Sequence, residues 1–197
     1  MPKAIESLCV FCGSSLGADA VYKEAAAEFG TEIARRGIRL VYGAGNIGLM
    51  GVIADAVLDA GGEVVGVIPQ ALLEKEVAHQ SLTELIVVET MHQRKAKMAD
   101  LADAFVAMPG GFGTFEEFCE VLTWNQLGVH NKPCGLLNVA GYYDALLGLF
   151  QRAEDDRFLR AEHHRMVLTA DTVSKLFEQL FTWQPMPQNQ WIDRDET

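Results

Sequence analysis

The chain lacks any apolar run of the ~18 residues that crossing a membrane requires. Its opening stretch, MPKAIESLCVFCGSS, holds no basic segment followed by a signal-type apolar core. A cytoplasmic protein without a membrane partner is therefore expected. Positive charge is scarce as well: 16 Lys and Arg stand against 27 Asp and Glu, for a net charge of −11. Such a surface repels a polyphosphate backbone, so nucleic acid is not an expected partner, although a small phosphate can still bind in one locally positive pocket. Cysteine is confined to Cys9, Cys12, Cys119 and Cys134. A single C-x-x-C pair makes no zinc site, and residues three apart on a strand face opposite sides, so buried free thiols and no metal are expected. Repeats, low-complexity tracts and interdomain linkers are missing too, and 197 residues suit one core. One domain is expected over residues 1–183, with a mobile, aperiodic tail over 184–197.

What is present is an alternation of apolar runs with segments of helical period. The runs SLCVFCG, IRLVYG, EVVGVIP, ELIVVE, DAFVAMP, KPCGLLN and RMVLTA read as about seven strands, and helices are expected between them, for example from Ala18 to Arg36 and through MHQRKAKMADLA. Unbroken Val, Ile and Leu runs mean strands buried on both faces. The expected fold is α/β: a Rossmann-like, doubly wound parallel sheet with helices on both faces. Ligands of such sheets bind beyond the carboxyl ends of the strands. That rule points at the loops after Cys12, Tyr42, Ile68, Glu89 and Met108. The segment from Gln70 to Gln80 reads as irregular.

Two of these loops are rich in glycine. Gly43-Ala-Gly45-Asn-Ile-Gly48 has the form G-x-G-x-x-G, but a dinucleotide site also needs an acid closing the next strand, which here ends in Ile68-Pro69. A tight turn or the wall of another nucleotide site fits better than NAD. The second loop opens MPGGFGTFEEF, where a helix starting at Thr114 would turn its positive end and free N–H groups toward an anion. The plainer reading of Gly110 and Gly111 is a turn. Likewise, Thr114 and Glu117 fit an S/T-x-x-E capping box. Glu116, Glu117 and Glu120 nevertheless crowd one and a half turns, where like charges repel and raise at least one pKa. Arg94 and Lys95, in the first turn of a helix opening at the same edge, oppose that helix's dipole, a placement more useful to a ligand than to the helix.

PGGFGTFEE, with MHQRK and GAGNIGLMG upstream and WNQLGVHNKPCGLLN downstream, closely resembles the LONELY GUY family of cytokinin riboside 5′-monophosphate phosphoribohydrolases, over roughly Ser7 to Leu180. The resemblance implies hydrolysis of the N-glycosidic bond of adenine-type nucleoside 5′-monophosphates to free base and ribose 5-phosphate, with no metal or redox cofactor. It implies Arg94 and Glu117 as the catalytic pair. Glu76, Lys95, Gly110, Gly111, Phe112, Gly113, Thr114, Phe115, Glu116 and Thr123 are the substrate-binding positions it implies, and a homodimer is the implied assembly. Relatives have carried the name lysine decarboxylase, a chemistry that needs a pyridoxal phosphate Schiff-base lysine and that nothing else in this sequence supports. A rival reading is a non-catalytic carrier of similar fold, such as a molybdenum cofactor carrier, which has no use for the Arg94 and Glu117 pair. Another is an interaction module built on Trp124 and Leu127. The adjacent His163 and His164 suit a surface or helix-end role, His92 is a weak accessory candidate, and His79 and His130 carry no signal. Met91, Met98, Phe112, Phe115 and Trp124 are the apolar candidates for a base pocket.

Overall fold

The computed structural model describes residues 4–73 and 78–185. Glu76 and most of the expected tail, from 186 onward, lie outside the described residues. The order of elements is β1 (Ser7–Phe11), α1 (Ala20–Arg35), β2 (Arg39–Tyr42), α2 (Gly48–Asp59), β3 (Val64–Pro69), α3 (Gln70–Leu73), β4 (Glu84–Val88), α4 (Met91–Leu101), β5 (Ala104–Ala107), α5 (Phe112–Gln126), β6 (Cys134–Leu137), a 3₁₀ turn (Val139–Gly141), α6 (Asp144–Asp155), α7 (Ala161–His164), β7 (Val167–Ala170) and α8 (Val173–Thr182). Each of the seven apolar runs forms a strand, and the strands make one parallel sheet in the order β4-β3-β2-β1-β5-β6-β7.

Strand alternation divides the core into two layers. Leu8, Val10, Leu40, Tyr42 and Val106 point to one face, where α1, α2 and α8 cover them with Phe29, Ile33, Ile53, Val57 and Phe177. Cys9, Phe11, Val41 and Phe105 point to the other, beneath Met98 of α4 and Phe118 and Val121 of α5. Cys9 and Cys12 fall in different layers, which is why this C-x-x-C pair cannot chelate. All four cysteines are free; three are buried, whereas Cys119 on α5 is only half-buried.

Local chemistry sets the element ends. Asp19 caps α1 by accepting from Val21 N–H at 3.0 Å, and Gly37, at φ +67°, lets the chain leave the helix. Thr90 caps α4 by accepting from Gln93 N–H at 3.1 Å. α5 begins two residues earlier than the sequence suggests: Gly111 is its N-cap, with no side-chain cap bond. Thr114 therefore lies inside the first turn, buried, and the expected capping box with Glu117 does not form. The segment read as irregular after Ile68 starts with the short helix α3.

Candidate active site at the sheet switch point

The strand order reverses between β1 and β5, so the loops that follow them diverge and leave a crevice at their carboxyl ends. Three loops are stitched together around it. Gly13 N–H donates to Pro109 C=O at 3.0 Å, and Leu49 N–H donates to Gly13 C=O at 3.0 Å, tying the β1 loop to the β5 loop and to α2. Side chains are excluded at these crossings: a Cβ on Gly48 would meet Ser14 backbone at 2.2 Å, and one on Gly13 would press on Gly110 at 3.2 Å. Gly111 and Gly113 differ, since a Cβ on either meets nothing within 4 Å. Their backbone faces open space at the mouth of α5, where the helix dipole is positive.

The two residues expected as a catalytic pair come to this edge from different helices. Arg94 of α4 donates from Nη2 to the C=O of Gly43, the residue after β2, at 2.9 Å. The fit is tight: a Cβ on Gly43 would lie 1.8 Å from that nitrogen. The first glycine of the G-x-G-x-x-G run thus makes room for a guanidinium, not for a pyrophosphate. Arg94 Nε is buried with no hydrogen-bond partner, a donor left available within the site. Glu117 of α5 is half-buried, and burial pushes its carboxyl up to about 7; the Arg94 and Lys95 charges oppose the rise, while Glu116 and Glu120 add to it. Burial, more than the crowding of carboxylates, is the cause. No direct ion pair joins Arg94 to Glu117; the guanidinium acts on the carboxyl through space. The Glu117 charge also reaches the thiols of Cys9 and Cys12, placing the carboxyl beside the end of β1.

Lys95 is engaged differently from what its sequence position suggests. Its Nζ donates to Glu116 at 2.6 Å and to Glu120 at 2.8 Å, an α4–α5 clamp with the lysine 10% exposed. Phe112 stands 92% exposed at the start of α5. Thr123, in contrast, lies eleven residues further along α5 than Phe112, roughly 16 Å along the axis. It belongs instead to a surface groove with Leu122, Phe150 and Met166, and its hydroxyl donates to Cys119 C=O. Of the apolar base-pocket candidates, Met98 is buried in the core, Phe115 and Trp124 pack against it, and Met91 is exposed near Arg94.

His92 is exposed in the first turn of α4, two residues from Arg94, and His79 N–H donates to Ala44 C=O at 3.1 Å; the other histidines lie away from this chemistry. His163 and His164 close α7, with His164 on Glu154 at 2.5 Å. His130 is buried against Phe105; its ring N–H donates to Val121 C=O, and burial lowers its pKa to about 4. Sequence reasoning missed three residues of the edge: Gly43 as the seat of Arg94, and Tyr142 and Tyr143, whose hydroxyls donate to Gly110 and Met108 carbonyls at 2.5 and 2.6 Å. The aromatic pair in the turn between β6 and α6, at the ligand edge, was the available signal.

A parallel sheet with a glycine-lined switch point, a helix opening on it and one carboxyl held near neutrality defines a Rossmann-like protein equipped to handle a small anionic ligand. Residues 50–180 match the family model described as "Possible lysine decarboxylase". The chain is 50% identical over 173 residues to a probable cytokinin riboside 5′-monophosphate phosphoribohydrolase of Oryza sativa subsp. japonica, spanning 88% of this chain and 78% of that relative. It is 48% identical over 178 residues to a cytokinin riboside 5′-monophosphate phosphoribohydrolase of Arabidopsis thaliana, spanning 90% of this chain and 84% of the relative. Among solved structures, a molybdenum cofactor carrier protein of Chlamydomonas reinhardtii superposes with TM-score 0.67 at 21% identity, over 90% of this chain and 98% of its own, a likeness of fold. The chain belongs to the family of cytokinin riboside 5′-monophosphate phosphoribohydrolases.

Proposed function

We propose that this protein hydrolyses the N-glycosidic bond of adenine-type nucleoside 5′-monophosphates, AMP or a cytokinin riboside 5′-monophosphate, releasing the free base and ribose 5-phosphate. The observation that carries the reading is the convergence on one edge of an anion-accepting helix start, a guanidinium and a carboxyl that titrates near neutrality. Cleaving a ribosyl bond builds positive charge on the sugar, which an adjacent carboxylate stabilises. Glu117 is the group suited to this: its carboxylate takes a proton from water as the water oxygen bonds to C1′. The bond from C1′ to the base nitrogen breaks, and the base leaves with that electron pair and gains a proton. Arg94 has Nε free to hold a ribose hydroxyl or a phosphate oxygen, and the backbone from Gly110 to Thr114 receives the phosphate. Lys95 serves by holding Glu116 and Glu120 away from the reacting carboxyl.

Decarboxylation of lysine is a poor fit to the same residues. A Schiff base forms on a neutral amine, whereas burial lowers the pKa of Lys95 less than its hydrogen bonds to Glu116 and Glu120 raise it, which keeps the amine charged. The carrier reading leaves the elevated Glu117 without a purpose.

The finer assignments extend this reading. Free thiols support a reducing, cytoplasmic setting, and the net charge of −11 supports action on a free nucleotide in preference to a nucleic acid. A homodimer is supported by the apolar groove beside α5, lined by Leu122, Phe150, Phe158 and Met166, where Phe158, in the segment after α6, is 90% exposed. Incubation with AMP, isopentenyladenosine monophosphate, the matching nucleosides and lysine tests the whole. Free base from the monophosphates and none from the nucleosides is expected. Amine from lysine, or equal release from nucleosides, would refute the proposal.

A further inference from the structure

The β5 loop is held by its carbonyls, one after another. Tyr143 Oη donates to Met108 C=O at 2.6 Å, Gly13 N–H to Pro109 C=O at 3.0 Å, and Tyr142 Oη to Gly110 C=O at 2.5 Å. No cis bond occurs among the described residues, and in a trans peptide the N–H points opposite to the C=O. Anchoring the Pro109 and Gly110 carbonyls on the protein side therefore turns the N–H groups of Gly110 and Gly111 the other way. Gly111 is the N-cap of α5, so its N–H continues into the unpaired N–H groups of the first helical turn, and open space lies over Gly111 and Gly113.

The turn that carries the two tyrosines is built to a fixed shape. Asn138 Oδ1 accepts from Tyr143 N–H at 2.7 Å while its amide donates to Asp144 at 2.8 Å. Ala140 sits at φ +51°, a left-handed conformation that a residue with a side chain keeps only where the surroundings impose it, and Gly141 follows at φ +73°, which glycine adopts freely. The rings interlock as well: Tyr142 meets Tyr143 edge-on at 5.1 Å, Tyr22 of α1 at 5.8 Å, and stacks near Phe115 of α5 at 6.5 Å. Tyr143 is buried and serves the core; Tyr142 is 37% exposed, and little in the core depends on its hydroxyl.

We infer that Tyr142 is a positioning residue for the phosphate end of the substrate: its hydroxyl fixes the Gly110–Gly111 peptide so that the loop and helix N–H groups converge on one anion. The inference rests on the phosphoribohydrolase reading for the identity of the ligand, but not for its geometry. Without the hydroxyl, this peptide can rotate, and a flipped plane presents a carbonyl to the phosphate. Loss of one such alignment is expected to weaken binding about tenfold.

The test is calorimetric binding of ribose 5-phosphate and, separately, of adenine to the wild type and to Tyr142→Phe, which keeps the ring contacts. Ribose 5-phosphate affinity should fall about tenfold while adenine affinity and the melting temperature hold. In turnover of a nucleoside monophosphate, KM should rise with kcat changed less than threefold. Unchanged ribose 5-phosphate affinity would overturn the inference, as would an equal loss for both ligands, the mark of a general structural role. Because binding is read without catalysis, failure of the hydrolase reading appears separately, as tight Tyr142-dependent ribose 5-phosphate binding with no base released from any monophosphate.

Discussion

At the scale of single residues, burial gives Glu117 a cost in stability that depends on pH. Its carboxyl titrates near 7 in the folded protein against 4.5 for an ordinary glutamate. Between those values the folded state binds more protons than the unfolded one, so stability falls as pH rises from 4.5 toward 7, and the whole cost is present above 7. Replacing Glu117 with Gln removes it. Chemical denaturation should find this variant more stable than the wild type at pH 8, by on the order of 1–3 kcal/mol, with the gap closing near pH 4. His130 has the opposite sign. With a folded pKa of about 4 against 6.5, its contribution is complete above 6.5 and lost as pH falls toward 4. The difference between variant and wild type isolates the Glu117 slope, because His130 is common to both. Catalysis should register the same group: kcat/KM is expected to rise with pH through an apparent pKa near 7, as the carboxylate forms. A flat profile from pH 5.5 to 8.5 would remove Glu117 from the role of base.

At the scale of elements, α4 and α5 matter through where they start and what their first turns face. Gly43 controls the α4 side. Its φ is not in the left-handed region, so alanine suits the backbone there, yet the new methyl would displace the Arg94 guanidinium. Gly43→Ala should therefore fold with a melting temperature close to wild type and lose at least about tenfold in kcat/KM, in line with the cost of misplacing a positioning group. Gly111→Ala has free space for its methyl, so it should also fold, and its loss should appear as weaker ribose 5-phosphate binding. Most of this scale was legible in the sequence. Seven apolar runs bounded by glycine, proline and helical periods give seven strands; β1, β2, β3, β5 and β6 are largely buried on both faces as expected, whereas the edge strands β4 and β7 are not, since each has a neighbour on one side only. The start of α5 was misjudged by two residues: Thr114 is a strong capping type, but Gly111 caps the helix with backbone alone, and the threonine is buried beneath Gly110. The ion pairs of Lys95 and the Gly43 seat were illegible for another reason. Both join segments separated by 21 to 51 residues, and no local pattern encodes such a meeting.

At the scale of the whole molecule, the strand order does the positioning. Placing β5 next to β1, with β2 to β4 on the other side, brings the ends of α4 and α5 to one crevice and lets three loops brace one another there. The site is then a property of the topology, and its residues can be few. Thr123 stands apart, far along α5 and lining the apolar groove proposed as the dimer contact. Sedimentation should find a dimer for the wild type, and Phe158→Glu should shift it toward monomer; a monomeric wild type would remove that assembly. In the proposed reaction, the charge of Glu117 is what enables bond cleavage. Assaying Glu117→Gln for base release and for nucleotide binding in parallel measures that role directly. Nucleotide affinity within about threefold of wild type, with turnover reduced at least ~100-fold, is the predicted result. Turnover near that of the wild type would contradict it.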